Sequence, residues 1–336
     1  MIIAPRPAPP AWRLTGYQGS YHGNTSDWPL WPWERIQTVA TYSDDLSDAL
    51  LSQATSTGTR VALTMGGPDD SGAPNETVRA AWIQKTIQAV RSSRATGVNM
   101  DVEAAMKEGS PNSAALAALL SELRAALPTN VELSFDAAAR PCYEHRCYNY
   151  TAIAAAVDRI FVMDYDLNDY DDPAPDNDHS RANAPLPTVE KGLKQLLGTA
   201  GITAEKLVVG LPWYGYIYYT IDGHVVDNEQ LGYGEIERML ANSSWVQRWD
   251  SLSQTPYLVE EKQISAAAST RGAGKTEGAV RRKLLGREVW YDDPRSLRLK
   301  VAMAKRLGIR NFGCWTADAL DYRNSASVKA MWESLL

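Results

Sequence analysis

The 336-residue sequence predicts an α/β fold, a closed (β/α)8 TIM barrel with an insertion between its seventh and eighth strands. Short β-branched runs alternate with longer helical stretches, as in repeated βα units around a parallel sheet. Eight such runs can be counted, which is the number of strands in a closed barrel. Their spacing is broken once, between residues 213 and 311, and the insertion is expected there.

The elements follow one another along the whole chain. We predict one catalytic domain spanning residues 1–336, with residues 216–289 inserted over the barrel mouth. Asn75 with Thr77, and the stretch that starts at Pro111, are typical of helix starts. Trp82 is expected on the core face of its helix. Strands are predicted at 12–17, 36–42, 60–66, 97–103, 131–137, 159–166, 206–213 and 311–317, and helices at 45–57, 76–94, 111–126, 187–199, 293–307 and 325–335.

Charge and hydropathy exclude two classes of partner. The net charge is −6 and no basic stripe offsets it, so a nucleic acid would be repelled. No apolar run approaches the ~18 residues that a membrane span requires. We therefore expect neither a nucleic-acid nor a membrane partner, and a monomer in solution.

Aromatic usage points to a ligand with flat apolar faces. The chain has 11 Trp and 16 Tyr but only 3 Phe. Trp and Tyr carry a polar group on an apolar ring and suit the edge of a binding site, whereas Phe suits a core. A share of these rings is expected to stack on sugars, although most are ordinary packing residues.

Cysteines and acceptor asparagines favour an oxidising compartment. Cys142 and Cys147 are spaced to allow a small loop disulfide, which leaves Cys314 as a core residue. The N-terminal residues show no apolar segment of a secretory signal. We expect a glycoprotein in a lysosome or vacuole, or a secreted one. Patterns for N-glycosylation occur at Asn24, Asn75, Asn149 and Asn242.

Two other patterns carry no binding site. Residues 272–278, GAGKTEG, suggest a phosphate-binding loop, but that motif needs a glycine where Ser269 stands, and no predicted strand precedes it. None of the four His residues has the spacing of metal ligands. We therefore expect no cofactor and no metal.

The segment 97–103 carries the strongest signal for catalysis. Side chains alternate along a strand, so Asn99, Asp101 and Glu103 are predicted to face the barrel interior together. Two neighbouring carboxylates are costly to bury, and each raises the pKa of the other. The pattern favours Glu103 as a protonated general acid near the catalytic end of the barrel. A solvent-facing edge strand with ordinary polar alternation is the structural alternative.

These residues also resemble a known family. Residues 96–103 are similar to the Asp-Gly-x-x-x-Asp-x-Glu signature of glycoside hydrolase family 18, the chitinases and their relatives. Thr96 stands in place of the first Asp. Other segments resemble further motifs of this family in the same order, namely Thr64-Met65-Gly66-Gly67 (with Thr64 for a family Ser), Met163-Asp164-Tyr165-Asp166, and Trp315.

The resemblance is closer to one branch of this family, the di-N-acetylchitobiases. Residues 147–154, 207–216 and 289–300 are similar to that branch, which also has Asn at the position of Asn99. Together the similar segments run from about residue 36 to residue 322. The branch implies removal of one N-acetylglucosamine from the reducing end of a chitobiose unit, in N-glycan cores or chitooligosaccharides.

The resemblance implies a substrate-assisted, retaining mechanism. Glu103 would protonate the glycosidic oxygen while the acetamide of the sugar attacks its own anomeric carbon to give an oxazolinium ion. Asp101 would orient that acetamide, and Tyr165 would donate a hydrogen bond to its carbonyl. The predicted substrate-binding residues are Asp166, Trp315, Asn99, Trp213 and Tyr214, whereas Asp136 and Asp164 are interpreted as structural.

Two alternatives remain open at this stage. One keeps the chemistry but cuts internally, as an endo-acting chitinase or an endoglycosidase on N-glycan cores. The other, from a different functional class, is a chitin-binding lectin on the same barrel. Such lectins usually lack the proton donor, and Glu103 is present here.

Overall fold

A closed barrel of eight parallel strands forms the centre of the molecule in a computed structural model. The structure describes residues 14–18, 27–68, 75–167, 179–260 and 285–336. This arrangement confirms the predicted fold class. The barrel strands, in the order in which they are hydrogen-bonded, are β1 (Leu14–Gln18), β2 (Ile36–Thr41), β3 (Arg60–Met65), β4 (Gly97–Met100), β5 (Glu132–Ala138), β6 (Arg159–Met163), β7 (Leu207–Pro212) and β13 (Asn311–Trp315), which pairs with β1.

Helices follow the strands and match the predicted stretches closely. Asn75 caps α2 by accepting the amides of Thr77 and Val78, and Pro111 occupies the first turn of α3. Trp82 is half-buried against the core, on the face predicted for it. The short helix α4 was not predicted, because seven residues are too few to show a helical period. The helices are α1 (Asp48–Thr57), α2 (Glu76–Ser93), α3 (Pro111–Ala126), α4 (Tyr150–Ala156), α5 (Leu186–Gly198), α7 (Pro294–Arg306) and α8 (Ser325–Ser334).

An antiparallel sheet is inserted between β7 and β13. Its strands lie in the order β10-β11-β12-β8-β9, and one helix, α6 (Tyr233–Leu240), follows β9. β8 begins two residues after β7 ends, so the insertion starts at the carboxyl end of the barrel. The strands are β8 (Tyr214–Ile221), β9 (His224–Gly232), β10 (Trp245–Asp250), β11 (Thr255–Glu260) and β12 (Leu285–Trp290).

A small apolar cluster fills the barrel interior below its mouth. Phe161 lies in it, and a Cβ at Gly210 would approach the Phe161 ring to 2.2 Å, so this neighbouring position must be glycine. Tyr165 and Trp315 pack on the cluster from above. The cluster is therefore the floor of any site at the barrel mouth. It contains Ala40, Ala62, Phe161, Met163 and Val208.

The cysteines pair as their spacing allows. Cys142 and Cys147 form a disulfide in the loop that follows β5, and Cys314 is a buried thiol outside this disulfide. Among the residues of the described ranges, no helix is long and apolar enough to cross a membrane. The acceptor asparagines 75, 149 and 242 are exposed. Asn24 and the string at 272–278 lie outside the described residues.

Candidate active site

A cavity of about 990 Å³ opens at the carboxyl ends of the barrel strands. In this fold the catalytic groups of enzymes lie at that end, on the loops after the strands. Strand ends of the barrel supply one part of its wall. The β9–α6 junction, the segment after β13, and Asp27 and Leu30 from the segment before β2 supply other parts. The residues from the barrel and the start of the insertion are Tyr42, Asp101, Glu103, Asp136, Met163, Tyr165, Asp166, Tyr214 and Trp315.

The two predicted acids lie just beyond the end of a strand. β4 ends at Met100, and the amide of Asp101 makes one further bond, 3.0 Å, to the carbonyl of Met65 on β3. Glu103 is therefore not buried in the barrel interior, as strict alternation through residue 103 predicted. Its side chain is 50% exposed at the rim of the cavity. A position at the rim lets the carboxyl reach a substrate.

Asp101 is held by a tyrosine from the neighbouring side of the barrel. The Tyr42 hydroxyl donates to Asp101 Oδ2 at 2.7 Å. Burial raises the pKa of Asp101, and the Tyr42 hydrogen bond and the charge of Arg146 partly offset that rise. The pattern at 97–103 did not reveal Tyr42, although it is the last residue of the predicted strand 36–42 and so belongs at the barrel mouth.

Glu103 forms an ion pair with an arginine that the sequence did not identify. Arg146 lies 2.7 Å from Glu103 and 2.5 Å from Glu144. Partial burial raises the pKa of Glu103 most, the like charge of Asp101 raises it further, and Arg146 lowers it. The net shift is upward, in the direction that a general acid needs.

Tyr165 and Trp315 form an aromatic wall above the apolar floor. Their rings stack at a centroid distance of 6.4 Å with 22° between the planes. Tyr42 meets the Trp315 ring edge-on at 6.1 Å. Burial raises the pKa of Tyr165 above its usual range, which favours the protonated hydroxyl that donates a hydrogen bond. Both residues were predicted for the site, and both line the cavity.

Asp166 is fixed by four groups. Its Oδ1 accepts bonds of 2.7 Å from the hydroxyls of both Tyr214 and Tyr216. Its backbone amide donates to Asn183 Oδ1 at 2.6 Å, and its carbonyl accepts from Tyr143 at 2.7 Å. Tyr214, which was predicted to bind substrate, lines the cavity and also orients Asp166, whose own backbone has a φ of 56°.

Asn99 lies beneath the cavity. Its side chain is fully buried, its amide donates to Asp136 Oδ2 at 2.7 Å, and its carbonyl oxygen accepts from Ser134 at 2.7 Å. The predicted contact between Asn99 and substrate is therefore not made directly, because Asp136 lies above it. Asp136 itself lines the cavity, so its interpretation as purely structural was wrong. The register pairs Asn99 with Ser134, and Asp136 lies two residues further along β5 on the same face as Ser134. This shared face is the sequence signal that would have placed Asp136 at the cavity.

Trp213 does not reach the cavity. It is fully buried and meets the ring of Trp332 edge-on at 4.8 Å. Consecutive residues point to opposite sides of an extended chain, so Tyr214 faces the cleft and Trp213 faces the core. The prediction that Trp213 binds substrate is thus corrected. Asp164 is likewise buried away from the cavity, as predicted for it.

Thr96, where the family signature has Asp, lies at the opposite end of the barrel from the two acids. Its hydroxyl oxygen accepts the amide of Val61 at 2.9 Å and so joins β3 to the start of β4. Thr96 thus has no direct contact with the acids. In the described part of the chain, no group of three His, Cys, Asp or Glu side chains is arranged to hold a metal ion.

Known families and structures match most of the chain. The family model described as glycosyl hydrolases family 18 matches residues 40–319. A di-N-acetylchitobiase of Rattus norvegicus is 33% identical over 318 residues, which cover 92% of this chain and 83% of that protein. A di-N-acetylchitobiase of Homo sapiens is 32% identical over 324 residues, with coverage of 92% and 80%.

A solved structure has the same fold. The crystal structure of a chitinase from Chromobacterium violaceum superposes with a TM-score of 0.72 and covers 95% of this chain and 98% of its own. The sequences are 18% identical, so this likeness concerns the fold alone.

Proposed function

Because this chain belongs to glycosyl hydrolases family 18, we propose that it is a retaining glycosidase that uses the substrate's own acetamide as nucleophile. The family makes it a glycosidase of the chitinase and chitobiase type. One observation carries the finer proposal: Glu103, Asp101 and Tyr165 line one cavity at the carboxyl end of the barrel. The substrate we propose is β-1,4-linked N-acetylglucosamine.

Glu103 is the proposed proton donor. It transfers its proton to the glycosidic oxygen as the bond from that oxygen to the anomeric carbon breaks. The carbonyl oxygen of the 2-acetamido group forms a bond to the same carbon and gives an oxazolinium ion. Glu103, now a carboxylate, then takes a proton from water as that water attacks the anomeric carbon, so the acid is restored.

Asp101 and Tyr165 are proposed to act on the acetamide. Asp101 accepts the acetamide N–H and balances the positive charge of the oxazolinium ion. Tyr42 supports Asp101 in one orientation through its 2.7 Å hydrogen bond. The Tyr165 hydroxyl donates to the acetamide carbonyl and directs it at the anomeric carbon. Both contacts act on groups that a plain glucoside lacks.

Asp166 and Trp315 are the proposed binding residues at the reactive subsite. Trp315 offers a ring face to the apolar side of the sugar, and Tyr165, stacked beside it, limits where that sugar can lie. Asp166 accepts hydrogen bonds from sugar hydroxyls while the Tyr214 and Tyr216 hydroxyls fix its carboxylate. Because the Asp166 carboxylate is held in one orientation, it favours rings that present a hydroxyl group to it.

We propose exo-type cleavage, with release of one N-acetylglucosamine from the reducing end of chitobiose units, which the resemblance to the di-N-acetylchitobiases implies. We further propose that the protein is a monomer in a lysosome or vacuole, or is secreted. The Cys142–Cys147 disulfide supports such an oxidising compartment.

Turnover of a fluorogenic chitobioside by acid variants tests the proposal. Glu103→Gln removes the proton but retains the shape, so we expect kcat to fall by at least ~100-fold, the lower contribution of a general acid. Asp101→Asn should lower kcat by a similar or smaller factor. Glu108→Gln, an exposed acid five residues from Glu103, is the matched control and should retain full activity. Full activity in either site variant would refute these roles, and binding without turnover by the unaltered protein would instead support a lectin.

A further inference from the structure

The loop after β5 is attached to the segment that carries Glu103. The amide of Met106 donates to the carbonyl of His145 at 2.8 Å, and the amide of Cys147 donates to the carbonyl of Met106 at 3.1 Å. The Tyr148 hydroxyl lies 3.0 Å from the carbonyl of Val102 and 2.7 Å from that of Ala104. One phenol thus contacts the peptide carbonyls on both sides of Glu103.

This attachment matters because the Glu103 segment lacks regular structure of its own. β4 ends at Met100 and α3 begins at Pro111, and residues 101–105 form neither strand nor helix. A catalytic group must be held to within a fraction of an ångström of its productive position. The loop after β5 therefore supplies contacts that neighbouring strands supply elsewhere in the barrel.

The loop is closed by the Cys142–Cys147 disulfide and presents Arg146 inward. Cys142, Glu144 and His145 have φ values of 63°, 49° and 62°, a region that non-glycine residues adopt at a cost. Cross-linking the loop ends helps to maintain this backbone. Within this loop the Arg146 side chain is only 13% exposed and contacts Glu103.

We propose that Arg146, presented by the disulfide-closed loop 142–147, is a positioning residue that holds the carboxyl group of Glu103 and stabilises its ionised form. This inference rests on the proposed role of Glu103 as proton donor. An arginine bonds a carboxylate more strongly than a carboxylic acid. Arg146 therefore assists Glu103 as the proton leaves, and it keeps the carboxylate in position for the second step, in which Glu103 acts as a base.

Glu144 competes with Glu103 for the same guanidinium. Arg146 lies 2.5 Å from Glu144 and 2.7 Å from Glu103, so each carboxylate weakens the hold of Arg146 on the other. The negative charge of Glu144 also disfavours ionisation of Glu103. Arg146 and Glu144 therefore act on Glu103 with opposite signs. The titratable groups that face Glu103 are Asp101, Glu144, Asp166, Arg146, Tyr42 and Tyr148.

The pH profile of kcat/KM on a fluorogenic chitobioside tests the proposal. Glu103 works as an acid only when it is protonated, so activity falls as pH rises through its pKa. Removing the cation in Arg146→Met should raise that pKa and move the basic limb to higher pH by about one unit. Glu144→Gln should move the same limb to lower pH. Damage to the fold would not shift the basic limb to higher pH in Arg146→Met and to lower pH in Glu144→Gln.

Further variants separate charge from structure. Arg146→Lys retains the cation and should return the basic limb most of the way to its original pH. The Cys142→Ser, Cys147→Ser double variant should behave like Arg146→Met and lower kcat more than it changes KM, because the acid loses its position. Arg79→Met is the matched control, since Arg79 pairs with Glu122 at 2.7 Å with similar exposure but between two outer helices. Its basic limb should stay in place.

Unchanged basic limbs in both Arg146→Met and Glu144→Gln would overturn the inference. If Arg146→Met does not fold, the Glu144→Gln variant alone decides the test. A basic limb that does not move to lower pH in Glu144→Gln would then overturn the inference. Glu103→Gln, measured beside them, separates this result from failure of the proposed function. If Glu103→Gln is inactive and the basic limbs of Arg146→Met and Glu144→Gln are unshifted, only the role of Arg146 is contradicted. If Glu103→Gln is active, the role of Glu103 as proton donor is contradicted.

Discussion

Two tryptophans at the barrel mouth have opposite environments. Trp315, at the end of β13, is partly exposed and stacks beside Tyr165 in the cavity wall. Trp213, one residue past β7, is fully buried against Trp332. The carbonyl of Trp315 accepts the amide of Trp213 at 2.7 Å, so the two backbones are adjacent. We therefore expect the ring in the wall to contribute to substrate binding and the ring in the core to contribute to stability.

Alanine variants of the two tryptophans should separate these effects. Trp315→Ala removes a stacking contact that contributes about 1.4 kcal/mol to binding, so KM for a chitobioside should rise about tenfold. The free energy of unfolding should change little. Trp213→Ala leaves a cavity in the core and should lower the free energy of unfolding by about 3–5 kcal/mol. Kinetics and urea unfolding of both variants check this. A large KM change in folded Trp213→Ala would contradict the environment described.

The sequence pointed to those cavity-lining residues that belong to short local patterns. Glu103 and Asp101 follow from carboxylates in a strand-end pattern, and Tyr165 and Asp166 from the family motif. Arg146 could not be found in this way, because its contact with Glu103 joins residues 43 positions apart through a turn. Alternation predicts that Trp213 and Tyr214 point in opposite directions, but it does not say which of them faces the cleft.

At the scale of elements, α7 is joined to the end of β6 by a buried charged cluster. Lys300 of α7 is fully buried and pairs with Asp292, which also accepts a 2.6 Å bond from Ser296. The positive charge of Lys300 also lowers the pKa of Asp164. Burial nevertheless raises the pKa of both Asp164 and Asp292 overall. Among the described residues, the Asp164 carboxylate has no hydrogen-bond partner. Lys300 thus compensates two buried acids, one of which, Asp164, immediately precedes Tyr165 and Asp166 in the chain.

Lys300→Met should therefore be strongly destabilising. Removing the cation leaves Asp292 and Asp164 without compensation, and breaking a buried pair costs about 3–5 kcal/mol. Both acids have a raised folded-state pKa, so they favour folding when protonated and disfavour it as pH rises. The loss should be largest near neutral pH and smaller near about pH 4. Urea unfolding at both pH values measures it.

A surface lysine provides the control for Lys300. Lys194 is 58% exposed and pairs with Glu190 one turn away, so Lys194→Met should change the free energy of unfolding by only about 0.3–0.5 kcal/mol. Equal effects of the two variants would show that the buried cluster does not stabilise the junction of α7 with β6.

Strand and helix positions were predictable because each has its own period in the sequence. The predicted strand at 97–103 was too long, since an alternating pattern continues past Met100 where β4 ends. Nothing in that pattern marks the residue after which β4 is no longer hydrogen-bonded to the adjacent strands as part of the sheet. The insertion was located by its length, but the order of its strands depends on pairing between distant segments, which a periodicity does not encode.

At the scale of the whole molecule, two units build the cleft. The barrel supplies the acids and the aromatic wall, whereas the start of α6 and the segment before α8 extend the wall with charged side chains. Those nearest the solvent include Glu235, Arg238, Asp321 and Arg323. The proposed catalytic residues thus come from the barrel, and we expect these added segments to contact the sugars beyond the reactive subsite.

Early products from chitotetraose test which bond is cut. Removal of the reducing-end sugar should give monomer and trimer first, and the dimer should appear only later. An internal cut should give mainly dimer from the start. Chromatography of samples taken at less than about a tenth of full conversion distinguishes the two. Dominance of dimer at those times would refute exo-type action but would leave the roles of Glu103 and Asp101 unaffected.

The requirement for an acetamide tests the central claim most directly. The proposed route forms a bond between the acetamide oxygen and the anomeric carbon, so a substrate with a 2-hydroxyl group has no nucleophile to supply. The measurement compares kcat/KM for a fluorogenic chitobioside with that for the corresponding cellobioside, under the same conditions. We predict ready cleavage of the chitobioside and no cleavage of the cellobioside above background. Comparable rates for the two would contradict substrate-assisted catalysis by this protein.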